Sequence, residues 1–175
     1  MFEHDIRWYA LVPVTLILGF FVLFAETSDV WGAFPMRPDW FWCLAVYAAL
    51  KSPPTSSIVA FAWCGLARDF ILGPKPGSAM LAFVAVGWAV LYWKPIVADR
   101  GLPSQAFMAG VGAVVVSFVR HMLDSGRLAY KLWDWMLVAA LGDGVLTCLV
   151  YVPAVLVLSL PSFRPWRERG GYHYL

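Results

Sequence analysis

Residues 8–25 read WYALVPVTLILGFFVLFA, eighteen positions without a single charge. About 20 consecutive, mostly apolar residues are what a helix needs to cross a ~30 Å hydrocarbon layer. A single Arg7 precedes the run and no A-x-A site follows it, so it reads as an uncleaved first transmembrane helix rather than a removed signal peptide. The composition of all 175 residues agrees: 61% are hydrophobic, 14% are charged, and the mean hydropathy is +0.70. A water-soluble domain carries roughly 45–50% apolar and about 25% charged residues. Folded in water, this chain would expose apolar patches larger than soluble monomers tolerate. Soluble enzyme classes and intrinsic disorder are both excluded.

Working outward from that stretch, further apolar runs follow at 40–50, 56–72, 79–97, 105–123 and 133–160. Proline- and glycine-rich connections separate them: Lys51-Ser-Pro-Pro-Thr55, Gly73-Pro-Lys-Pro-Gly77 and Gly101-Leu-Pro-Ser104. Proline lacks a backbone donor and glycine enters left-handed caps cheaply, so helices end there. The pattern predicts an all-α integral membrane protein, one polytopic domain over 1–175 with a bundle of six transmembrane helices. The second is short: residues 40–50 make roughly 16 Å of helix, so the count is six if it spans and five if it does not. The last run is long, about 42 Å, and Pro153 is its natural kink. Several tryptophans flank the runs (Trp8, Trp40, Trp42, Trp93, Trp133, Trp135), as indole rings do at the headgroup level.

Lysine and arginine counts set the orientation. With a cytoplasmic N-terminus, the inner side receives Arg7, Lys51, Lys94, Arg100, Arg164, Arg167 and Arg169, the outer side Arg37, Lys75, Arg127 and Lys131. Both termini are therefore expected in the cytoplasm. Residues 161–175 form a basic cytoplasmic tail whose Arg164, Arg167 and Arg169 either contact anionic lipid or a partner, or simply anchor the topology. A net charge of +2 and a pI near 8.5 are too mild for nucleic-acid binding. Cys43, Cys64 and Cys148 lie in apolar runs as expected free thiols. No metal-ligand, nucleophile–base or phosphate-loop pattern occurs, so a non-enzymatic protein with no cofactor is expected.

Ionisable residues inside apolar helices cost roughly 2.5–3.5 kcal/mol each on insertion, which makes them candidates for function. Arg68, Asp69, Arg120 and Asp143 fall at similar depth in the six-helix topology and are expected to form one buried charge cluster, with His121 and Asp124 at its edge. Two roles remain open: fixing helix register, or relaying a proton or holding a ligand. Asp39, at the start of the second run, suits a solvated helix N-cap. Gly65, Gly110, Gly112, Gly142 and Gly144 would admit close helix approach.

Two stretches together resemble the bacterial rod shape-determining protein MreD family. One is Arg37-Pro38-Asp39; the other is Gly65-Leu-Ala-Arg-Asp69 followed by Gly73 and Gly77, spaced G-x3-D-x3-G-x3-G. Arg68 departs from the family pattern, where that place is apolar. The resemblance implies a non-enzymatic inner-membrane component of the cell-elongation complex that makes side-wall peptidoglycan. It implies association with the transmembrane helix of MreC and, through it, with MreB, RodA and a penicillin-binding protein. Arg37, Pro38, Asp39, Gly65, Asp69, Gly73 and Gly77 are the positions carried by the motifs.

A second reading is a small-molecule (vitamin-like) binding subunit, similar to the substrate-binding components of energy-coupling-factor transporters, which also have about six helices. It places a pocket at the outer face, where the charged cluster would meet Trp40, Trp42, Trp63 and Trp88.

Overall fold

The structure, a computed structural model, describes residues 8–27, 38–72, 76–98, 100–125 and 133–158, with side chains at 12–21, 38–72, 76–97, 100–123 and 137–156. All described secondary structure is helical, in the order α1 (Trp8–Thr27), α2 (Trp40–Lys51), α3 (Pro54–Leu72), α4 (Ser78–Ala98), α5 (Leu102–Ser125) and α6 (Trp133–Leu158). Helices are what apolar segments must form where no water can satisfy backbone groups. Their ends follow the breakers. Gly77 (φ +100°) and Gly101 (φ +84°) sit in the left-handed region immediately before α4 and α5, and Ser104 Oγ donates to Gly101 O (2.9 Å) inside the α4–α5 turn.

Four helices contain spans long and apolar enough to cross a membrane: Pro54–Leu72, Ser78–Val97, Leu102–Leu123 and Leu137–Leu156. Large apolar side chains face outward from α1 and α3–α6, among them Phe20, Phe70, Trp88, Tyr92, Phe107 and Leu149. Water would penalise such a surface at roughly 25 cal/mol per Å²; hydrocarbon does not. An all-helical fold with four such spans is compatible with a multi-pass helical membrane protein.

α2 is placed differently. It packs against each of the other five helices, while α3, α4, α5 and α6 follow one another around it and α1 lies on α3. Among the described residues it contributes no exposed large apolar side chain, and Phe41, Trp42, Ala45, Val46 and Ala49 are essentially inaccessible. The Trp42 ring is the centre of the core, 5.2 Å from the Phe61 ring and 5.1 Å from Phe83 between centroids. Gly112 makes room for it: a Cβ there would lie 2.5 Å from the indole Cζ2. Trp42 Nε1 donates to Ala109 O (2.9 Å), so the buried N–H is satisfied. At 12 residues, about 18 Å, α2 is shorter than the hydrocarbon layer. Its N-terminal end lies within the bundle and its C-terminal end comes nearer the surface, and the backbone groups of both must be met.

Candidate functional site

At its start, α2 is capped by Asp39, whose Oδ1 accepts from Trp42 N (3.0 Å). The cap is buried, not solvated as the sequence suggests: Asp39 is 6% exposed. Its other oxygen, Oδ2, faces Arg68 Nε of α3 at 3.2 Å. Its backbone N–H donates to Thr147 Oγ1 of α6 (3.0 Å). Pro38, the preceding motif residue, is buried and its carbonyl accepts from Trp40 N (3.2 Å).

At its other end, α2 presents carbonyl groups. Lys94 reaches in from α4 and donates to Ala49 O (2.7 Å) and to Ser52 O. Ser57 Oγ lies 3.0 Å from Ala49 O and 2.9 Å from Pro53 O, closing the α2–α3 turn. A cation there also complements the negative end of the helix dipole.

Next to Arg68, Asp69 points a different way. Its carboxylate accepts the backbone N–H groups of Gly77 (2.9 Å), Ala79 (3.0 Å) and Met80 (3.1 Å), so it caps α4 from across the α3–α4 turn. Gly65 stands one turn earlier on the same face. A Cβ on it would lie 2.6 Å from Met80 Cα and 2.9 Å from Ala79 O. The missing side chain lets the first turn of α4 come near enough for Asp69 to reach it. The G-x3-D spacing followed by Gly77 is thus a closed structural unit: an approach residue, a cap and a left-handed turn.

Of the four residues expected to form one cluster, Arg68, Asp69, Arg120 and Asp143, the adjacent Arg68 and Asp69 turn to different partners. Arg68 takes Asp39, Asp69 takes backbone donors of α4, and Asp143 accepts from Ser117 Oγ on α5 (3.0 Å). Neighbouring helical positions diverge by about 100°, so Arg68 and Asp69 serve different helices. Gly110 and Gly144 bring α5 and α6 into backbone contact: a Cβ on either would stand 2.9 Å from the other's carbonyl oxygen. Of the remaining sequence candidates, Arg37, Gly73, Arg164, Arg167 and Arg169 lie outside the described residues, as does the side chain of Asp124.

Three of the four tryptophans proposed to line one pocket, Trp42, Trp63 and Trp88, lie in different surroundings. Trp42 is buried in the core, Trp88 is 64% exposed on the outside of α4, and Trp63 Nε1 donates to Thr15 Oγ1 of α1 (3.1 Å). Among the described residues no three of His, Cys, Asp and Glu gather closely enough to hold a metal ion. The three cysteines are free thiols.

Several residues of this network escape a linear reading. Thr147, Ser57, Ser117 and Lys94 carry it, yet each stands alone in an apolar or turn segment. The available signal is the four-residue interval: Asp143, Thr147 and Tyr151 share one face of α6. Comparison with known proteins adds no assignment: no protein family, no curated protein and no solved structure matches the chain.

Proposed function

We propose that this chain is a non-enzymatic, multi-pass component of a bacterial inner membrane, with both termini cytoplasmic, that serves the rod-type cell-elongation complex. In that role the bundle docks the transmembrane helix of MreC and so links it to MreB, RodA and a penicillin-binding protein in side-wall peptidoglycan synthesis. The observation that carries this reading is the convergence of the two sequence stretches that resemble the MreD family. They are far apart between helices, yet Asp39 of the first is ion-paired with Arg68 inside the second, and Gly65, Asp69 and Gly77 build the adjoining helix turn. Arg68, the departure from the family pattern, is the residue that ties them.

The test is co-purification with MreC of the same organism in mild detergent and in nanodiscs, with MreC lacking its transmembrane helix as control. Helix-dependent co-elution is expected. Failure in both media overturns the proposal. The small-molecule alternative is less favoured, because Trp42, Trp63 and Trp88, on which it relies, face different surroundings.

A further inference from the structure

Trp88, Tyr92 and Ile96 recur at four-residue intervals in α4, and all three are exposed. Residues four apart share a helix face, so they form one apolar stripe. Leu81 and Ala85, exposed on the preceding turns, lengthen it to about 22 Å, close to the length of one bilayer leaflet with its headgroups. Near its end Trp93 is exposed too, its ring edge-to-face with Tyr92 at 6.0 Å between centroids. Indole and phenol rings favour the headgroup level, which α4 approaches here, because its membrane-length span closes at Val97.

One further step of four from Ile96 brings Arg100, exposed in the turn that follows α4, where its N–H donates to Val97 O (3.3 Å). The same end of the bundle holds two more cations. Lys94 donates to Ala49 O (2.7 Å) and Ser52 O, which fixes its charge between α4 and the end of α2, and Lys51, beside Ser52, is exposed. Segments 51–55 and 94–104 together carry these three cations and one carboxylate, Asp99. α3 and α5 begin at this end as well, so their first-turn N–H groups add positive potential.

Cations alone would suit any anion, and an apolar stripe alone would suit any lipid. In sequence along one helix they match an amphiphile with hydrocarbon tails and an anionic head. A free phosphate gains nothing from Tyr92 and Ile96, and a zwitterionic lipid brings no net charge to Arg100.

We propose that the outer face of α4 binds an anionic phospholipid, with its acyl chains along the stripe from Leu81 to Ile96 and its headgroup beside Arg100. Lys51 and Lys94 strengthen the field at that end without needing to touch the lipid. The inference rests on the bundle lying in a bilayer and is independent of the proposed cellular role.

The test is native mass spectrometry of the full chain released from nanodiscs that contain phosphatidylglycerol and phosphatidylcholine of identical acyl chains. A basic side chain near an anionic headgroup favours it by about fivefold, so the unaltered chain is expected to retain phosphatidylglycerol over phosphatidylcholine by at least about that factor. Arg100→Gln is expected to bring the ratio within about twofold of one, and Arg100→Lys to preserve it, since the contribution is one positive charge. Tyr92→Ser with Ile96→Ser should lower retention of both lipids and leave the ratio standing. Lys94 is left unaltered because it caps α2. Equal retention of the two lipids by the unaltered chain overturns the proposal. So does a preference that survives Arg100→Gln, or one lost instead when Arg164, Arg167 and Arg169 become glutamine. Displacement of phosphatidylglycerol by inorganic phosphate, beyond that caused by chloride of equal ionic strength, would assign the cations to a free anion and also overturns it.

Discussion

Replacing Gly65 with alanine tests the α3–α4 unit most directly. The added Cβ would lie 2.6 Å from Met80 Cα, and ordinary contact begins at 3.4 Å, so the first turn of α4 must retreat by about 0.8 Å. That retreat stretches the three bonds to Asp69, now 2.9–3.1 Å, to roughly 3.7–3.9 Å, beyond hydrogen-bonding range. Gly65→Ala therefore loses the cap as well as paying for overpacking, in total about 2–4 kcal/mol. Asp69→Ala removes the same three bonds directly and leaves donors unmet in an apolar setting, at about 3 kcal/mol, or roughly a hundredfold in the unfolding constant. Because the two substitutions break one feature, the double variant is expected to cost no more than about 1 kcal/mol beyond the worse single one. Reversible unfolding in mixed detergent–SDS micelles, followed by circular dichroism, measures all three. Costs that add to within about 0.5 kcal/mol would refute the mechanism, since they would mean that Gly65 and Asp69 act independently.

Three further outcomes follow from the same contacts. Lys94→Met leaves Ala49 O and Ser52 O at the end of α2 without their cation and is expected to destabilise by about 1–3 kcal/mol in the same assay, with Lys94→Arg milder. Arg68→Gln strands Asp39 in the interior and is expected to cost about 3–5 kcal/mol; adding Asp39→Asn should restore part of that loss, and a double variant worse than Arg68→Gln by the full cost of Asp39→Asn would show the pair to be uncoupled. Gly112→Ala drives a Cβ into the Trp42 ring and should lower the thermal midpoint more than Gly101→Ala, where an added Cβ meets Pro103 Cδ at 4.0 Å and only the positive φ is strained.

Helix content and helix number were legible because lipid leaves a chain few choices. An uncharged run such as 8–25 can satisfy its backbone only by becoming helical, and breakers such as Gly77 and Gly101 show where one helix stops. The candidate charges were legible for the same reason, as Arg68, Asp69 and Asp143 stand out against apolar neighbours. The partners of Arg68 and Asp69 were not. Depth along a helix can be counted from sequence, but the direction of a side chain around it decides which helix it meets. Arg68 and Asp69, adjacent in the chain, reach α2 and α4 respectively. Asp39 looked like a solvated cap because it precedes a helix, and its burial depends on α2 lying at the centre of the bundle, which only the packing of α3–α6 reveals. The short length of α2 was visible; that shortness makes it the core helix was not.

The ends of α2 also carry a consequence for biogenesis. Its sealing groups come from segments translated later: Lys94 from α4 and Thr147 from α6, the latter 108 residues beyond its partner Asp39. At 5–20 residues per second, a ribosome needs roughly 5–20 s to deliver Thr147 after Asp39 has emerged. During that interval α2 has an unsealed terminus and no ring of helices to bury it. The second helix to be synthesised is thus among the last to reach its final environment, and nascent chains truncated before α6 should keep it accessible to the insertion machinery.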